Sequence, residues 1–405
     1  MQSVHFRQSL ALLGTRRFGT FWFASLLANI GTWAQQMAQP WLLLSLGASP
    51  FLLGLDTFAL GAPVLLLTLV GGALADRADR RHIIALFQSI QMLCPLLLVV
   101  LVLTGTVQPW VVIVLSLVVG VTDALSMPSF QSIVPSIVER EQIPSGIALN
   151  TTQFNLSRIL GPALAGILMA SVGMAGAFAV SAASYVPFIL VALWVLPHAG
   201  LRETGVPQLD SRQLWANVRE VVREPRSRGA LLTVFVTALL CAPLITFCPL
   251  LVKDVFHGDA GQFSMALGAF GIGGLIGASG LLAVDPQTDQ RRISIWFAIG
   301  YGVILVLAAC NPWAWGLPVL LVLAGVAMTA SNASANALLQ SHAPERIRGQ
   351  SVSLFMLATR GGTALGGLVT GASVHLLGVR EALLFNGVIA VLVQLTIRRS
   401  WLKVP

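Results

Sequence analysis

Residues 71–81 read GGALADRADRR, and five of the six positions from Asp76 to Arg81 carry a charge. The twenty-five residues before Asp76 hold a single charge, Asp56. Charged groups at a bilayer centre cost several kcal/mol, so a charge block that closes a long apolar run marks the place where a chain leaves the hydrocarbon for water.

The whole chain repeats that alternation. Its 405 residues are 56% hydrophobic and 10% charged, with a mean hydropathy of +0.83, far from the make-up of a soluble domain. A hydrocarbon core about 30 Å thick needs ~20 apolar residues per helix. Twelve such spans are expected, near 18–46, 51–75, 83–104, 109–133, 145–171, 173–196, 229–252, 264–284, 293–310, 314–337, 350–377 and 380–397. The fold class is therefore an all-α membrane protein of twelve transmembrane helices. The opening residues, MQSVHFRQSLALLGTRR, do not read as a cleavable signal, because the apolar run after them is too long and lacks a small-residue cleavage site.

A net charge of +8 raises the question of nucleic acid, but the basic residues form no single patch, and no nucleic-acid partner is expected. They sort by side instead. With loops assigned alternately, Lys253 and Arg380 fall on one side, Arg158 and Arg360 inside spans, and all the other Lys and Arg on the opposite side. Cytoplasmic loops carry the Lys/Arg excess, which places both termini in the cytoplasm of a bacterial inner membrane.

The chain divides in the middle into a six-helix half over 1–196, a polar linker over 197–228 and a second six-helix half over 229–405. Within the linker Leu214, Val218, Val221 and Val222 fall at helical spacing opposite Arg219 and Arg223, a pattern suited to a short helix at the membrane surface or to a solvated connector. The halves resemble each other at an offset of 205: Gly120 meets Gly325, Ser126 meets Ser331, Ser129 meets Ser334, Gln131 meets Asn336, Gly161 meets Gly366 and Gly166 meets Gly371. Repeated six-helix halves are how many secondary carriers are built.

Enzyme chemistry has no support. There is no phosphate-binding Gly-x-x-x-x-Gly-Lys-Ser/Thr run, and the glycines of GAFGIGGLIGASG, 268–280, sit inside a span, where they serve helix packing. Cys94, Cys241, Cys248 and Cys310 lie in spans without Cys-x-x-Cys spacing, so neither disulfides, a metal nor a cofactor is indicated.

The opening block resembles the loop between helices 2 and 3 of the major facilitator superfamily, Gly-x-x-x-Asp-Arg-x-Gly-Arg-Arg, matched by Gly72, Asp76, Arg77, Arg80 and Arg81. The resemblance implies a conformational latch, with Asp79 standing where that pattern has Gly. PERIRGQSVSLF, 344–355, resembles the loop before helix 11 of the same superfamily. NLSRILGPALAG, 155–166, is similar to the helix 5 motif of its antiporters through Gly161, Pro162 and Gly166, and SMPSFQSIVPSIVEREQIPSGIALN, 126–150, resembles its exporter branch of enterobactin exporters and macrolide or multidrug efflux pumps. One departure is Leu115, where drug antiporters carry Arg five positions before the helix 4 Gly, here Gly120. The implied function is secondary active, proton-coupled export of amphipathic small molecules such as drugs or siderophore-like compounds, by a monomer. An importer or uniporter of the same fold is the alternative, and a non-transporting membrane sensor or assembly partner the rival of another class.

Intramembrane charges mark the candidate site. Asp123 lies about fourteen residues inward from the outer end of span 4, near the midplane, and Arg158 is as deep in span 5. The two can pair, as a proton-handling couple or as a permanent structural ion pair. Asp56 and His375, close to the ends of spans 2 and 11, read as hydrated, with Asp56 the second candidate for proton entry. Arg360 is a second intramembrane cation that suits carbonyls, helix packing or an anionic substrate. Asn29, Trp33, Gln36 and Pro40 share one face of span 1, and Met328, Ser331, Asn332, Ala335 and Asn336 share one side of span 10. The superfamily resemblance implies that these spans line a central cavity, which makes both faces a candidate substrate wall, with interhelical hydrogen bonding as the other reading.

Overall fold

A computed structural model describes residues 11–77, 79–196, 211–282, 284–285, 288–342 and 348–403. The described residues form helices and no strands. The helices α1 (Arg16–Ser45), α2 (Pro50–Arg77), α3 (Arg80–Leu103) and α4 (Pro109–Ile137) come first. A continuous stretch, Ile143–Trp194, follows; its 52 residues would measure about 78 Å as one helix, more than twice the hydrocarbon thickness. It is broken at Gly173, whose φ of 71° is the left-handed value that a side chain resists, and the two parts are α5 (143–172) and α6 (174–194). Beyond the linker lie α7 (Pro225–Val255), α8 (Ala260–Leu282), α9 (Gln290–Cys310), α10 (Gly316–His342), α11 (Arg348–Leu377) and α12 (Val379–Trp401). Each end of the twelve expected spans falls within about five residues of these helices.

Ten stretches among the described residues are long and apolar enough to cross a membrane. The α5–α6 pair counts once there, and α1 is not among the ten because its amides lower its hydropathy. Proline inside α1 to α4, at Pro40, Pro63, Pro95, Pro128 and Pro135, is tolerated because neighbouring helices and local backbone adjustments satisfy the released carbonyls. Helix α7 is the irregular one. It carries π turns at Thr237–Cys241 and Leu251–Val255, with Pro243 and Pro249 between them.

The chain packs as two compact units, Met1–Leu42 with Pro63–Gly205, and Leu43–Ala62 with Val206–Pro405. The first is centred on Phe18, Phe21, Trp22, Ile84, Ile133, Tyr185 and Phe188. Phe21, Phe130 and Phe188 form a triangle of ring centroids 5.4–5.8 Å apart. Lipid is as apolar as these rings, so they hold the unit through close contact and ring geometry rather than through escape from water. The Trp22 indole donates to the Leu149 carbonyl at 2.8 Å and ties α1 to α5.

The second unit gathers Ala230, Val234, Ile295, Ile299, Leu338, Leu339 and Trp401. Trp401 lies over Gly229 and donates to the Arg226 carbonyl at 3.0 Å, so the end of α12 fixes the start of α7. The expected amphipathic helix is Ser211–Arg223, and it does more than float: Val221 is buried against Leu231 and Leu354.

Segment Leu43–Ala62 joins the second unit by backbone approach. A Cβ on Gly54 would strike the Gly367 carbonyl, and one on Gly61 would lie 2.7 Å from the Ala364 Cβ. Lys253 closes the junction, its ammonium donating to the Leu44 carbonyl at 2.9 Å near the C-terminus of α1, where carbonyls lack helical partners.

Candidate functional site

The charge block ends as a helix cap. Asp79 accepts from the Arg81 backbone N–H at 3.1 Å and from its Nε at 2.8 Å, capping α3, and Arg81 also points a guanidinium N–H at the Leu193 carbonyl near the end of α6. Asp79 therefore has a reason to stand where the superfamily pattern has Gly: it holds the first turn of α3 and orients Arg81. The same device recurs in the second unit, where Asp289 caps α9 through the Arg291 N–H at 3.0 Å and the Arg291 Nε at 3.1 Å. Partial burial pushes the Asp289 carboxyl up, but the Arg291 side chain and backbone and the Arg292 charge outweigh it, and the group sits below the ordinary carboxylate value. The side chains of Gly72, Asp76 and Arg77 lie outside the described ones.

In the first unit α1 presents polar residues on two faces, and only one of them was singled out from the sequence. Thr32, Gln35 and Gln39, spaced three and four apart, turn into the unit. The Thr32 hydroxyl meets the Tyr185 hydroxyl at 2.7 Å. Ser181 donates to the Gly31 carbonyl at 2.9 Å and reaches the Gln35 carboxamide oxygen at 3.3 Å, and Gln39 donates to the Ser116 hydroxyl at 2.9 Å. Gln35 and Gln39 are each 4% exposed. These side chains stitch α1 to α4 and α6, the role of polar glue expected of buried amides in a membrane protein.

The other face keeps Asn29, Trp33 and Gln36, all half-buried. Trp33 also packs on α5: its ring meets Phe154 edge-on at 6.4 Å, and a Cβ on Gly161 would run into its Cβ. Pro40 is buried. On α10, Met328 and Asn336 are half-buried, and Gln340 donates to Asn336 at 3.1 Å. Ser331 and Asn332 are enclosed at 0% and 6% exposure, so the open part of this helix is narrower than its spacing suggested.

Asp123 is half-buried on α4. The backbone of Arg158 and Pro162 is helical, but their side chains lie outside the described ones, and so does the expected Asp123–Arg158 pair. Asp56 differs from expectation: at 6% exposure it is buried in protein rather than hydrated, because the segment that carries it packs into the second unit. Arg360 is half-buried on α11 with its carbonyl close to Gly61, and His375 is exposed.

The 205-residue repeat is visible as contact. Gly161 of α5 seats against α1 at Trp33, and Gly366 of α11 seats against α7 at Leu239. A crossing of the same kind, outside that register, sets Gly71 of α2 on the Ala124 carbonyl of α4 and Gly277 of α8 on the Val326 carbonyl of α10. Apolar helices long enough to span a membrane, gathered in two units with close glycine crossings and buried polar faces, define a multi-pass membrane protein.

Comparison with known proteins narrows the class. The sequence profile described as transmembrane secretion effector, a family of the major facilitator superfamily, matches residues 7–404, and the chain belongs to that family. It is 26% identical to the multidrug efflux pump Tap of Mycolicibacterium fortuitum, over 91% of this chain and 93% of that one. It is 25% identical to the enterobactin exporter EntS of Salmonella typhi, over 90% and 87%. Among solved structures it superposes on the D-xylose-proton symporter with a TM-score of 0.73 at 12% identity, over 94% of this chain and 97% of that one, a likeness of fold. The protein is a membrane transporter of this superfamily and not an enzyme.

Proposed function

We propose that the protein exports amphipathic small molecules, drugs or siderophore-like compounds, by alternating access driven by protons through Asp123. The export direction is supported by relatives that are an efflux pump and an exporter. The observation that carries the coupling is a half-buried carboxylate well inside α4. A carboxyl in that position can take a proton in one conformation and release it in another, and a carrier needs such a difference, since a proton held equally in both states shifts nothing. Arg158 is the cation the sequence offers to compete for the ionised form. The half-buried groups Asn29, Trp33 and Gln36 on α1, Met328 and Asn336 on α10, and Arg360 on α11 supply the adaptable polar and aromatic contacts such substrates require. Gly72, Asp76, Arg77, Arg80 and Arg81 act as the conformational latch.

In inverted vesicles with an imposed pH gradient, screened with a panel of dyes and antibiotics, Asp123→Asn loses uphill transport and keeps substrate binding, while Asp56→Asn has the smaller effect. Asp123→Asn vesicles that still concentrate a dye with normal pH dependence would refute the coupling.

The protein sits in the bacterial inner membrane as a monomer with both termini cytoplasmic. A cysteine introduced at Ser211 accordingly resists membrane-impermeant thiol reagents added outside intact cells, and labelling there would overturn the orientation.

A further inference from the structure

Helices α9 and α12 meet closely within the second unit. A Cβ on Gly302 would lie 2.9 Å from the Val391 Cγ2, and one on Gly387 3.0 Å from the Gly302 carbonyl oxygen. About 10 Å along both helices from that crossing, the Arg398 guanidinium lies over the Trp296 ring, 4.3 Å from its centroid. The start of α9 and the end of α12 therefore stand side by side.

One exposed face of each helix runs into arginine at this end. On α12, Ile389, Leu392, Thr396 and Arg399 are exposed at spacings of three, four and three; on α9, Leu307, Val303, Trp296 and Arg292 are exposed at spacings of four, seven and four. Arg291, Arg292, Arg398, Arg399 and Lys403 stand here against two carboxylates, Asp285 and Asp289. Asp289 is taken up by Arg291, whose Nε donates to it at 3.1 Å. Among the described residues the Arg292 and Arg399 side chains have no hydrogen bond or salt bridge, and the Arg398 Nε is buried without an acceptor.

A cation that served only to mark the water side would extend from the helix end. Arg398 instead lies on a ring that is 50% exposed, and tryptophan on a membrane-spanning helix belongs at headgroup depth. Its charge is answered inside the protein by that ring alone. A ligand that fits this edge is anionic at one end and apolar at the other. Phosphate oxygens match the planar fork of an arginine, and acyl chains match the apolar stripe that continues below. A soluble anion uses only the first of these.

We propose that an anionic phospholipid docks on the paired ends of α9 and α12, its headgroup held by Arg292, Arg398 and Arg399 and its chains lying along the exposed stripe beside Trp296. Basic pockets between membrane helices are a known setting for such headgroups. The inference depends neither on Asp123 nor on the direction of transport.

The test uses the full chain in phosphatidylcholine vesicles that carry a small fraction of chain-brominated lipid, either phosphatidylglycerol or phosphatidylcholine. Bromine quenches an indole on contact, and the quenching that disappears in Trp296→Phe belongs to Trp296. In the wild type, brominated phosphatidylglycerol quenches Trp296 more strongly than the same fraction of brominated phosphatidylcholine. Arg292→Gln, Arg398→Gln and Arg399→Gln each lower that preference roughly five-fold, and the triple variant abolishes it. Arg219→Gln with Arg223→Gln, which removes two exposed cations of the linker helix, leaves it unchanged. Should the triple variant not fold, Arg399→Gln alone carries the test, since that side chain is exposed and bonds to nothing described. Equal quenching by the two lipids in the wild type overturns the inference, as does a preference that survives the arginine variants or falls equally in the linker variant. Loss of the preference in millimolar inorganic phosphate would assign the arginines to a soluble anion and overturn it too.

Discussion

The crossing of α1 with α5 and that of α7 with α11 keep the same glycine, 205 residues apart, yet each glycine faces something different. Gly161 gives room to a side chain, that of Trp33, on a regular stretch of α1. Gly366 gives room to backbone, the Leu239 carbonyl in the π turn Thr237–Cys241 of α7, with Gly362 beside it against Ala238. Both crossings keep what close helix approach requires, a position without a Cβ. The facing helices differ. In the first unit the crossing supports an aromatic that also belongs to the candidate substrate wall. In the second it seats a local irregularity of α7, and π turns of this kind frequently occur at functional sites.

That contrast breaks most sharply at the glycines themselves. Gly366→Ala forces a Cβ into a carbonyl that cannot rotate away, an overpacking cost of about 3 kcal/mol, read as a fall in Tm of roughly 3–4 °C in a detergent or nanodisc melt. Gly161→Ala drives its Cβ into the Trp33 Cβ, which the backbone of α1 fixes just as firmly, so it costs about as much, ~3 kcal/mol. A much smaller loss from Gly161→Ala would mean that the regular stretch of α1 gives way more easily than the α7 π turn.

The two aspartate caps come next in size and should behave alike. Asp79→Ala and Asp289→Ala each remove an N-cap worth about 1 kcal/mol, measured by chemical denaturation of the purified protein. Asp289 adds a pH dependence of known sign. Its carboxyl is held below the ordinary value, so its contribution is fully present above that value, including at neutral pH, and is lost only as pH falls through the folded-state value. Acid therefore narrows the gap between wild type and Asp289→Ala below about pH 4, and a gap that widened there would assign the stabilisation to another group.

The smallest effect sharpens the comparison of the buried amides. Gln39 bonds Ser116 in the first unit, and Gln394 of the second bonds the Thr233 carbonyl at 3.0 Å and the Thr237 hydroxyl at 3.2 Å. Buried polar pairs in membrane proteins contribute about 0.6 kcal/mol on average, so Gln39→Leu and Gln394→Leu should each shift the denaturation midpoint slightly. A large loss from Gln39→Leu alone would show that the α1–α4–α6 network does more than hold helices together.

Hydropathy determined the helices and their order from the sequence alone, and the motifs at 71–81, 155–166 and 344–355 carried the resemblance that gave the transporter class. Those signals are local or additive: about twenty apolar residues must become a helix in lipid, and a backbone approach admits only a residue without a Cβ wherever the partner lies. Tertiary structure alone decided which amides are glue and which face outward. Thr32, Gln35 and Gln39 have the same helical spacing as Asn29, Trp33 and Gln36, and a membrane helix is surrounded by apolar matter on every side, so periodicity cannot say which face meets a neighbour. The same holds for Asp56, which sits one turn or so from the end of a span and reads as hydrated until the packing of Leu43–Ala62 into the second unit buries it. It holds for Asp79, whose use as a cap depends on where α3 begins, and for Tyr185, whose hydroxyl meets Thr32 only when α1 is folded against α6. Solvation of a span is fixed by its own residues. The partner of a side chain is fixed by helices that are remote in sequence.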